Sequence, residues 1–344
     1  MNVLLLVVDS LRARSLSLDG RDPTLPRTPF LAGFARESVS FTRAYATECW
    51  TLPAYTGTGP TVAEILSAAG YHTEVITRNS IFDGSIPGIT RGFRENTRVF
   101  SSCSGLNPLS LMLAMSKPRF RRQILSTGFF HPRQRESRAF VTAFARATVP
   151  ADREALAHVL AVITRCHAQR QPYFVFCNLY DVHAPYPPAL RSIFRPLRHP
   201  ANWPEAAVMP FVLPTLGGHV YLREGFRLST LSRRMLLGRY HTAIELMDAK
   251  LAGFYEAARH AGALDDTLVI LTSDHGEAFG EHDLYLHDAS VYDVNLHVPS
   301  FRPPSAPGTR DRRRRRQHPP ALRAPALGGH GERHRRNAAR PRRP

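Results

Sequence analysis

The chain has 344 residues, enough for one large α/β domain or two smaller ones, and it carries a net charge of +17 at pH 7. The range Phe301–Pro344 contains 14 Arg, one Asp and one Glu, so it holds 12 of the 17 excess positive charges. The four cysteines show no paired spacing, and no apolar run approaches the roughly 20 residues of a membrane span. A disulfide framework, a CxxC zinc site and a membrane partner are therefore not expected.

The apolar run Val3–Val8 predicts a buried strand that ends at Asp9. This run is short and lacks the basic flank of a secretion signal, so we expect a cytoplasmic protein. Asp9 is suited either to bind a cation or to cap the next helix. Arg12 is suited either to attract an anionic substrate or to lie on a solvated helix face. Further along, Thr28–Phe30 predicts the start of a short helix and Val39–Phe41 a brief strand.

Thr51 lies two residues before Pro53, in a segment that predicts the start of another helix. A hydroxyl at a helix N-terminus feels the positive end of the helix dipole, and an anion bound there finds unpaired N–H groups. The alternative is that Thr51 only caps the helix. Next, Pro60–Gly70 predicts a helix and Thr73–Thr77 a strand. We expect this helix to turn three apolar side chains inward, namely Val62, Ile65 and Leu66.

The second half of the chain has clearer patterns than residues 79–150, which show nothing that indicates chemistry. Ala155–Cys166 predicts an amphipathic helix, and Tyr173–Leu179 predicts a strand. Leu231–Ala261 predicts a long helix with apolar side chains every three or four residues. Leu268–Leu271 is apolar at four successive positions, which is typical of a strand covered on both faces. The alternation of strands and helices predicts an α/β fold with a mostly parallel central sheet and helices on both faces.

Polar side chains follow three of the predicted strands; they are Asp9, Asp181, His183, Asp274 and His275. Open α/β sheets place ligands at the carboxyl ends of their parallel strands, so we expect Asp9 and Asp274 to meet there. Together with the imidazole of His275, their carboxylates offer the donor atoms that a divalent cation needs. His282 and His287 follow on the same loop. The alternative is an ordinary surface turn after each strand.

The regular pattern ends after Val298. The range that follows contains eight Pro, the run Arg312–Arg316 and no apolar period, so its burial cannot offset the entropy of folding. We therefore divide the chain into a folded domain at residues 1–306 and a disordered tail at residues 307–344. Each Arg of the tail can neutralise a phosphate, but no aromatic side chain is present there for base stacking. We expect nucleic-acid contact to be non-specific at most.

Three segments together resemble the sulfatase family, within the alkaline phosphatase superfamily. They are NVLLLVVDSLRARSL, ATECWTLPAYTGTG and LDDTLVILTSDHGEAFGEHDLYLHDASVYDVNLHVP, and YDVHAPY matches a fourth family element. The resemblance covers residues 2–299. It implies that the domain at 1–306 is a sulfatase-type catalytic domain and that the protein is a metal-dependent hydrolase of sulfate or phosphate esters. Its expected partner is a small anionic ester substrate.

The resemblance also implies roles for individual residues in holding a metal ion. Asp9, Asp274 and His275 match the family's metal ligands. One divalent cation is expected, and this donor set accepts calcium, magnesium, manganese or zinc. His183 and His287 match positions at which family members contact the substrate anion or the leaving group.

The nucleophile motif of the family is Cys-x-Pro-x-Arg, whose Cys is converted to formylglycine. In this chain the segment Thr51–Tyr55 takes that place. Thr51 cannot become formylglycine, so it resembles the unmodified Ser or Thr that attacks in the phosphatases, phosphodiesterases and phosphotransferases of the superfamily. A sulfated threonine lacks the easy release route of a formylglycine hemiacetal, which tilts the expectation toward phosphorus esters.

Three departures from the family pattern leave other functions open. Ser10 stands where many members have a second acid, Tyr55 replaces the arginine of the nucleophile motif, and the C-terminal part of the fold expected after Pro299 is absent. One alternative is a phosphodiesterase or phosphotransferase of the same superfamily. A second is a shortened or frame-shifted member without activity, and a third is a nucleic-acid-binding protein that acts through its tail.

Overall fold

The computed structural model describes residues 1–55, 57, 59–82, 86, 88–99, 152–184, 186, 228–287 and 290–303. Its strands are β1 (Asn2–Val8), β2 (Val39–Ser40), β3 (His72–Thr77), β4 (Glu95–Arg98), β5 (Tyr173–Leu179), β6 (Thr267–Thr272), β7 (Ala278–Phe279), β8 (Tyr285–Leu286) and β9 (Ser300–Arg302). Its helices are α1 (Pro29–Arg36), α2 (Thr51–Ala54), α3 (Val62–Ala68), α4 (Asp152–Ala168), α5 (Thr230–His260) and α6 (Asp293–Leu296).

One sheet organises the described part of the chain, with seven strands in the order β2-β9-β6-β1-β5-β3-β4. Strands β6, β1, β5, β3 and β4 are parallel to one another. At one edge, β9 runs antiparallel to β6 and β2 runs antiparallel to β9. Each parallel pair is separated along the chain by a crossover, as parallel strands require. The predicted fold class, an α/β fold with a mostly parallel sheet, is confirmed.

The side chains of β1 alternate between the two faces of the sheet, and both faces are covered. Leu4, Leu6 and Val8 belong to the larger core, which also contains apolar side chains of α1, α4 and α5. Val7 belongs to a smaller core on the opposite face, together with side chains of α3, and Leu5 packs against it. Because successive strand side chains point to opposite faces, a strand that is apolar at every position needs helices on both sides.

The long helix α5 runs along the larger core. Its buried stripe steps by three or four residues and consists of Tyr240, Ile244, Met247, Leu251, Phe254 and Ala258. Helix α5 contacts α4 and α1, so three helices share this face of the sheet. Truncation of the buried Leu251 to Ala would cost about 2–5 kcal/mol through lost packing and the cavity left behind. The stripe that the sequence predicts is confirmed.

Helix α3 turns inward a different face from the one that the sequence predicts. Ala63 is buried, whereas Val62 and Ile65 are 60% and 56% exposed. The neighbouring loop lies directly on the helix, since a Cβ added to Gly92 would be 2.6 Å from the carbonyl carbon of Ala63. This close approach leaves no room for a side chain at position 92. The prediction for Val62 and Ile65 is therefore wrong, and Leu66 alone of the three packs against the smaller core.

The sheet also continues beyond the point at which the sequence pattern ends. Strand β9 pairs with both β6 and β2, and the short helix α6 precedes it. The expectation that regular structure stops after Val298 is therefore wrong, because a three-residue strand is too short to show an alternating pattern. The predicted tail at 307–344 lies outside the described residues. Among the residues that are described, no helix combines the length and the apolar composition needed to cross a membrane.

Candidate active site

Polar side chains converge at the carboxyl ends of four neighbouring strands. The strand order β6-β1-β5-β3 puts these ends side by side. The residues that follow the strands are Asp274 and His275 after β6, Asp9 after β1, His183 after β5 and Asn79 after β3. An open parallel sheet offers its ligand-binding crevice at this edge. The fold thus brings together groups that are far apart along the chain.

The carboxylate of Asp9 is buried and held from several sides. Its Oδ2 accepts hydrogen bonds from the amide nitrogens of Asn79 and Asn178, both at 3.3 Å. Its Oδ1 accepts a hydrogen bond from the Ser10 hydroxyl at 3.2 Å and lies 3.4 Å from His275 Nε2. Although burial alone would raise the pKa of Asp9, the positive charge of nearby imidazoles and the amide of Asn178 lower it. Asp9 is an oriented, ionised group of the site and does not cap a helix.

The ring of His275 is oriented by its own loop. Its Nδ1 lies 2.9 Å from the carbonyl oxygen of Gly276, which can only accept, so Nδ1 carries a proton and donates it there. The other ring nitrogen, Nε2, faces the site, 3.8 Å from Asp274 Oδ2. Burial lowers the pKa of His275, but the carboxylates of Asp274 and Asp9 outweigh it and raise the pKa. Positive charge is therefore favoured at Nε2, and a metal cation there would replace a proton.

Asp274 supplies a carboxylate oxygen that lacks a protein partner. Its Oδ1 accepts a hydrogen bond from the backbone N–H of His275 at 3.0 Å, while Oδ2 is buried with no hydrogen-bond partner among the described residues. Such an atom is rare in folded proteins unless a water or an ion completes it. Burial and the charge of Asp9 raise the pKa of Asp274 to about 7. Ligand atoms of Asp9, Asp274 and His275 all lie within 4.8 Å of one another, so the three residues fit a divalent cation.

Thr51 lies directly against this group of possible ligands. It is the first residue of α2, and Trp50 occupies the N-cap position, so the interpretation of Thr51 as a helix cap is wrong. The Thr51 Oγ1 is 3.2 Å from His275 Nε2 and 3.4 Å from Asp9 Oδ2. The hydroxyl is buried at the place where a cation between these groups would contact it.

Two further histidines form the other side of the site. The ring centroid of His287 is 4.3 Å from that of His275 and 4.8 Å from that of His183. His287 Nδ1 lies 2.9 Å from Glu277 Oε1, and the second oxygen of Glu277 accepts a hydrogen bond from the Tyr186 hydroxyl at 2.7 Å. Burial raises the pKa of Glu277 to about 7. The orientation of His287 is therefore fixed by a buried carboxyl group.

The buried side chain of Arg12 holds the loop after β6 in place. This side chain is buried, and its Nη1 donates to the carbonyl oxygen of Glu277 at 3.1 Å and to Glu281 Oε1 at 2.9 Å. Arg12 therefore neither faces solvent nor reaches a substrate. The loop also requires a glycine, because a Cβ at Gly276 would lie 2.2 Å from the carbonyl oxygen of Val294.

The two departures from the family motif have clear places in the site. Ser10 has a φ of 63°, a strained value for a residue other than glycine, and its carbonyl accepts a hydrogen bond from the Tyr240 hydroxyl at 2.8 Å. Its hydroxyl orients Asp9 where a second acid is expected in the family. Tyr55 points into the smaller core, with its ring centroid 5.3 Å from that of Phe82 and 5.5 Å from that of Phe176. The position of the motif arginine therefore carries an aromatic ring, and burial acts with the charges of Asp274 and Asp9 to raise the pKa of its hydroxyl.

Two of the strand-end residues turn away from the site. Asp181 accepts a hydrogen bond from Arg78 Nη1 at 2.6 Å and pairs through its other oxygen with Lys250. It therefore ties the end of β5 to α5 and offers no free ligand to a cation. His282 stacks on Tyr292 with ring centroids 3.7 Å apart and also lies outside the site.

Sequence reasoning missed three residues that position the site: Asn79, Asn178 and Glu277. The expectation that residues 79–150 carry no chemistry is wrong at Asn79, which follows β3 as Asp9 follows β1. Asn178 had a usable signal, since it is an amide within an otherwise mostly apolar strand. Glu277 had one as well, because it lies two residues after His275 in the same polar loop.

Comparison with known proteins identifies relatives of this chain. The family model described as Sulfatase matches residues 1–302. Iduronate 2-sulfatase of Homo sapiens is 23% identical to this chain over an aligned length of 335 residues. The match covers 87% of this chain and 58% of that protein. The chain thus spans less than two thirds of the length of this curated relative.

Solved structures share the fold at low sequence identity. A putative sulfatase from Bacteroides fragilis gives a TM-score of 0.52 at 15% identity, covering 88% of this chain and 67% of that one. The C-terminal periplasmic domain of a phosphoethanolamine transferase from Campylobacter jejuni gives 0.51 at 13% identity, with coverages of 87% and 77%. The phosphonate monoester hydrolase of Agrobacterium radiobacter gives 0.50 at 18% identity, with coverages of 88% and 67%.

Proposed function

Because the chain belongs to the sulfatase family, we propose that it is a metal-dependent hydrolase of sulfate or phosphate esters with Thr51 as its nucleophile. One observation carries this proposal: the Thr51 hydroxyl oxygen lies 3.2 Å from His275 Nε2 and 3.4 Å from Asp9 Oδ2. The hydroxyl is thus adjacent to two of the three residues that could hold a cation.

Asp9, Asp274 and His275 would hold the cation, for which calcium, magnesium, manganese and zinc are all suitable. When bound, a divalent cation lowers the pKa of a hydroxyl that it contacts and neutralises the non-bridging oxygens of an ester. Asn79 and Asn178 keep the Asp9 carboxylate in position throughout, because both amides donate to its Oδ2. The chain itself thus supplies the donors and fixes their orientation.

The Thr51 hydroxyl gives up its proton to water, and Oγ1 attacks the phosphorus or sulfur atom of the ester in line with the leaving oxygen. The new bond joins Oγ1 to that atom, and the broken bond joins the same atom to the leaving oxygen. His183 or His287 donates the proton that this leaving oxygen takes up. Water then releases the group from Thr51 and regenerates the hydroxyl.

Phosphorus esters are the favoured substrates, because an ordinary threonine ester of sulfate has no easy route of release. The fold does not choose between substrates, since it is shared with sulfatases, a phosphonate monoester hydrolase and a phosphoethanolamine transferase. A phosphodiesterase or phosphotransferase is therefore the alternative within the same chemistry. Non-specific nucleic-acid contact through residues 307–344 and a cytoplasmic location stay predictions.

The test is turnover of an aryl sulfate, an aryl phosphate monoester and an aryl phosphodiester, each with calcium, magnesium, manganese and zinc. We expect turnover of a phosphorus ester that depends on the cation. Thr51→Ala should lower kcat by about 10³-fold or more, as loss of a nucleophile does in other enzymes. Thr51→Ser should retain activity, since it keeps the hydroxyl. Thr47→Ala is the matched control, because Thr47 is exposed on the same segment.

Two results would contradict the proposal in different ways. Unchanged turnover in Thr51→Ala would show that another group attacks. An absence of turnover of every ester with every cation, in a protein whose melting is cooperative, would favour the inactive member of the family.

A further inference from the structure

A second cluster of histidine and carboxylate side chains lies at the opposite end of the sheet from Asp9. His72 is the first residue of β3, and Glu74 lies two positions later on the same face. Glu95 begins β4 and is paired with Glu74 in the strand register. His158 reaches the same place from α4. Three elements of the fold therefore contribute to one cluster.

Glu74 is the buried centre of this cluster. Its carboxylate is fully buried, and its Oε1 accepts a hydrogen bond from the Thr97 hydroxyl at 2.7 Å and lies 3.0 Å from His158 Nε2. Burial would raise the pKa of Glu74, but the bonds from Thr97, His72 and His158 lower it below its usual value. The group is therefore ionised at neutral pH, with Oε1 held by two donors and Oε2 facing His72.

His72 lies between two carboxylates. Its Nε2 is 3.1 Å from Glu74 Oε2, and its Nδ1 is 3.9 Å from Glu95 Oε1. A neutral imidazole carries a proton on only one nitrogen, so the other turns a lone pair toward a carboxylate oxygen. This places two electron-rich atoms face to face, which a cation between them would stabilise.

The cluster also has an excess of negative charge. Glu74 and Glu95 are like charges at paired positions of neighbouring strands, an arrangement that destabilises a sheet. The guanidinium of Arg165 is the permanent cation of the cluster, and it reaches only to 4.0 Å from Glu74 Oε2. Two carboxylates therefore share this cluster with two imidazoles and with one guanidinium that lies 4.0 Å from Glu74.

We propose that His72, Glu74 and Glu95 bind a divalent transition-metal ion, of which zinc is the type. Their ligand atoms all lie within 4.8 Å of one another. Zinc binds nitrogen and carboxylate oxygen at about 2.0–2.2 Å, so two donors on one ion lie less than about 4.4 Å apart. The side chain of Glu95 is half exposed, so it has room to adjust its position for an ion. A nitrogen donor beside two oxygens favours zinc over calcium or magnesium.

The second site ties the edge strand β4 to β3, and His158 of α4 orients Glu74 within it. It is separated from the Thr51 site by the length of β3, roughly 20 Å at 3.3 Å per residue. We therefore expect the ion to stabilise this edge of the sheet and to leave the chemistry at Thr51 unchanged.

The experiment is a zinc titration of the full chain by calorimetry after treatment with a chelator. Asp274→Asn is introduced first to weaken the site at Asp9, so that the second site is observed alone. We expect this variant to bind one zinc ion and the double variant with His72→Ala to bind none. Glu95→Gln in the same background should also abolish binding. His158→Ala should weaken binding by about 10–100-fold, as removal of a group that orients a ligand does.

His167→Ala is the matched control, because His167 is an exposed histidine on the same helix as His158. It should bind zinc as the Asp274→Asn parent does. In chelator, Glu95→Gln should melt at the same temperature as the parent or slightly above it, because it removes the like charge opposite Glu74. Absence of zinc binding in Asp274→Asn would overturn the proposal. So would a zinc affinity in its His72→Ala and Glu95→Gln derivatives that equals the affinity of the Asp274→Asn parent.

Discussion

Replacement of Asp274 by Asn should stabilise the metal-free protein while it weakens the response to magnesium at the Asp9 site. The Oδ2 of Asp274 is buried without a partner among the described residues, and burial and the charge of Asp9 raise its pKa from 3.8 to about 7. At 1.36 kcal/mol per pKa unit, this rise corresponds to about 4 kcal/mol that the folded state loses when both carboxylates are ionised. An uncharged amide at this position removes the repulsion and can donate to Asp9.

The sign of the pH dependence follows from the direction of the shift. The folded protein holds a proton on Asp274 up to about pH 7, whereas the unfolded chain releases it near pH 3.8. The penalty is therefore absent below about pH 4, grows between pH 4 and 7, and is complete above pH 7. In chelator, the stability of the wild type should fall relative to that of Asp274→Asn across this window.

Thermal melting in chelator at pH 5 and pH 8 tests this reasoning. If the two proteins differ in stability by about 4 kcal/mol, Asp274→Asn should melt about 8 °C above the wild type at pH 8. The difference should shrink at pH 5, and added magnesium, which does not suit the His72 cluster, should raise the melting temperature of the wild type alone. Asp265→Asn serves as the control, because it removes an exposed carboxylate. An equal or lower melting temperature for Asp274→Asn at pH 8 would refute the electrostatic argument.

Three further predictions concern the groups that support the site. Gly276→Ala should destabilise the protein by about 3 kcal/mol or more in denaturant unfolding, because its Cβ would lie 2.2 Å from a carbonyl oxygen. Gly253→Ala, an open helical position, should instead stabilise it by up to about 1 kcal/mol. Asn79→Ala should lower metal affinity by about 10–100-fold in a cation titration of activity, and unchanged affinity would show that Asp9 needs no such support. Arg12→Met should cost about 2–3 kcal/mol, since it removes charged hydrogen bonds to the loop after β6; a loss below about 0.5 kcal/mol would contradict its role.

The parallel core of the fold was predictable because its strands are buried on both faces. β1 and β5 are apolar at nearly every position, and the stripe of α5 has a single period. Helix α3 carries apolar residues on two sides, so its pattern was ambiguous. The folded protein buries the side with Ala63. Strand β9 gave no pattern, since it contains three residues, and it pairs with both β6 and β2.

Some residues of the site could likewise be predicted from the order of strands along the chain. Others are identified only by the packing of the folded protein. Asp9, Asp274 and His275 each follow a recognisable strand, so their convergence was predictable from the topology of a parallel sheet. The amide of Asn178 lies inside a strand, and only the register of β5 beside β1 brings it to Asp9. The turn of Asp181 toward Lys250 depends on where α5 packs, which no local pattern contains.

The most direct test of the central claim is identification of the group that becomes covalently attached to the substrate. An aryl phosphodiester is mixed with the cation-loaded protein, the reaction is quenched within the first turnover, and the peptides are analysed by mass spectrometry. Attack by Thr51 predicts a phosphoryl adduct on the peptide that contains Thr51, formed together with the first equivalent of released phenol and absent in Thr51→Ala. Release of phenol with an adduct on another residue, or with the same adduct in Thr51→Ala, would contradict the account.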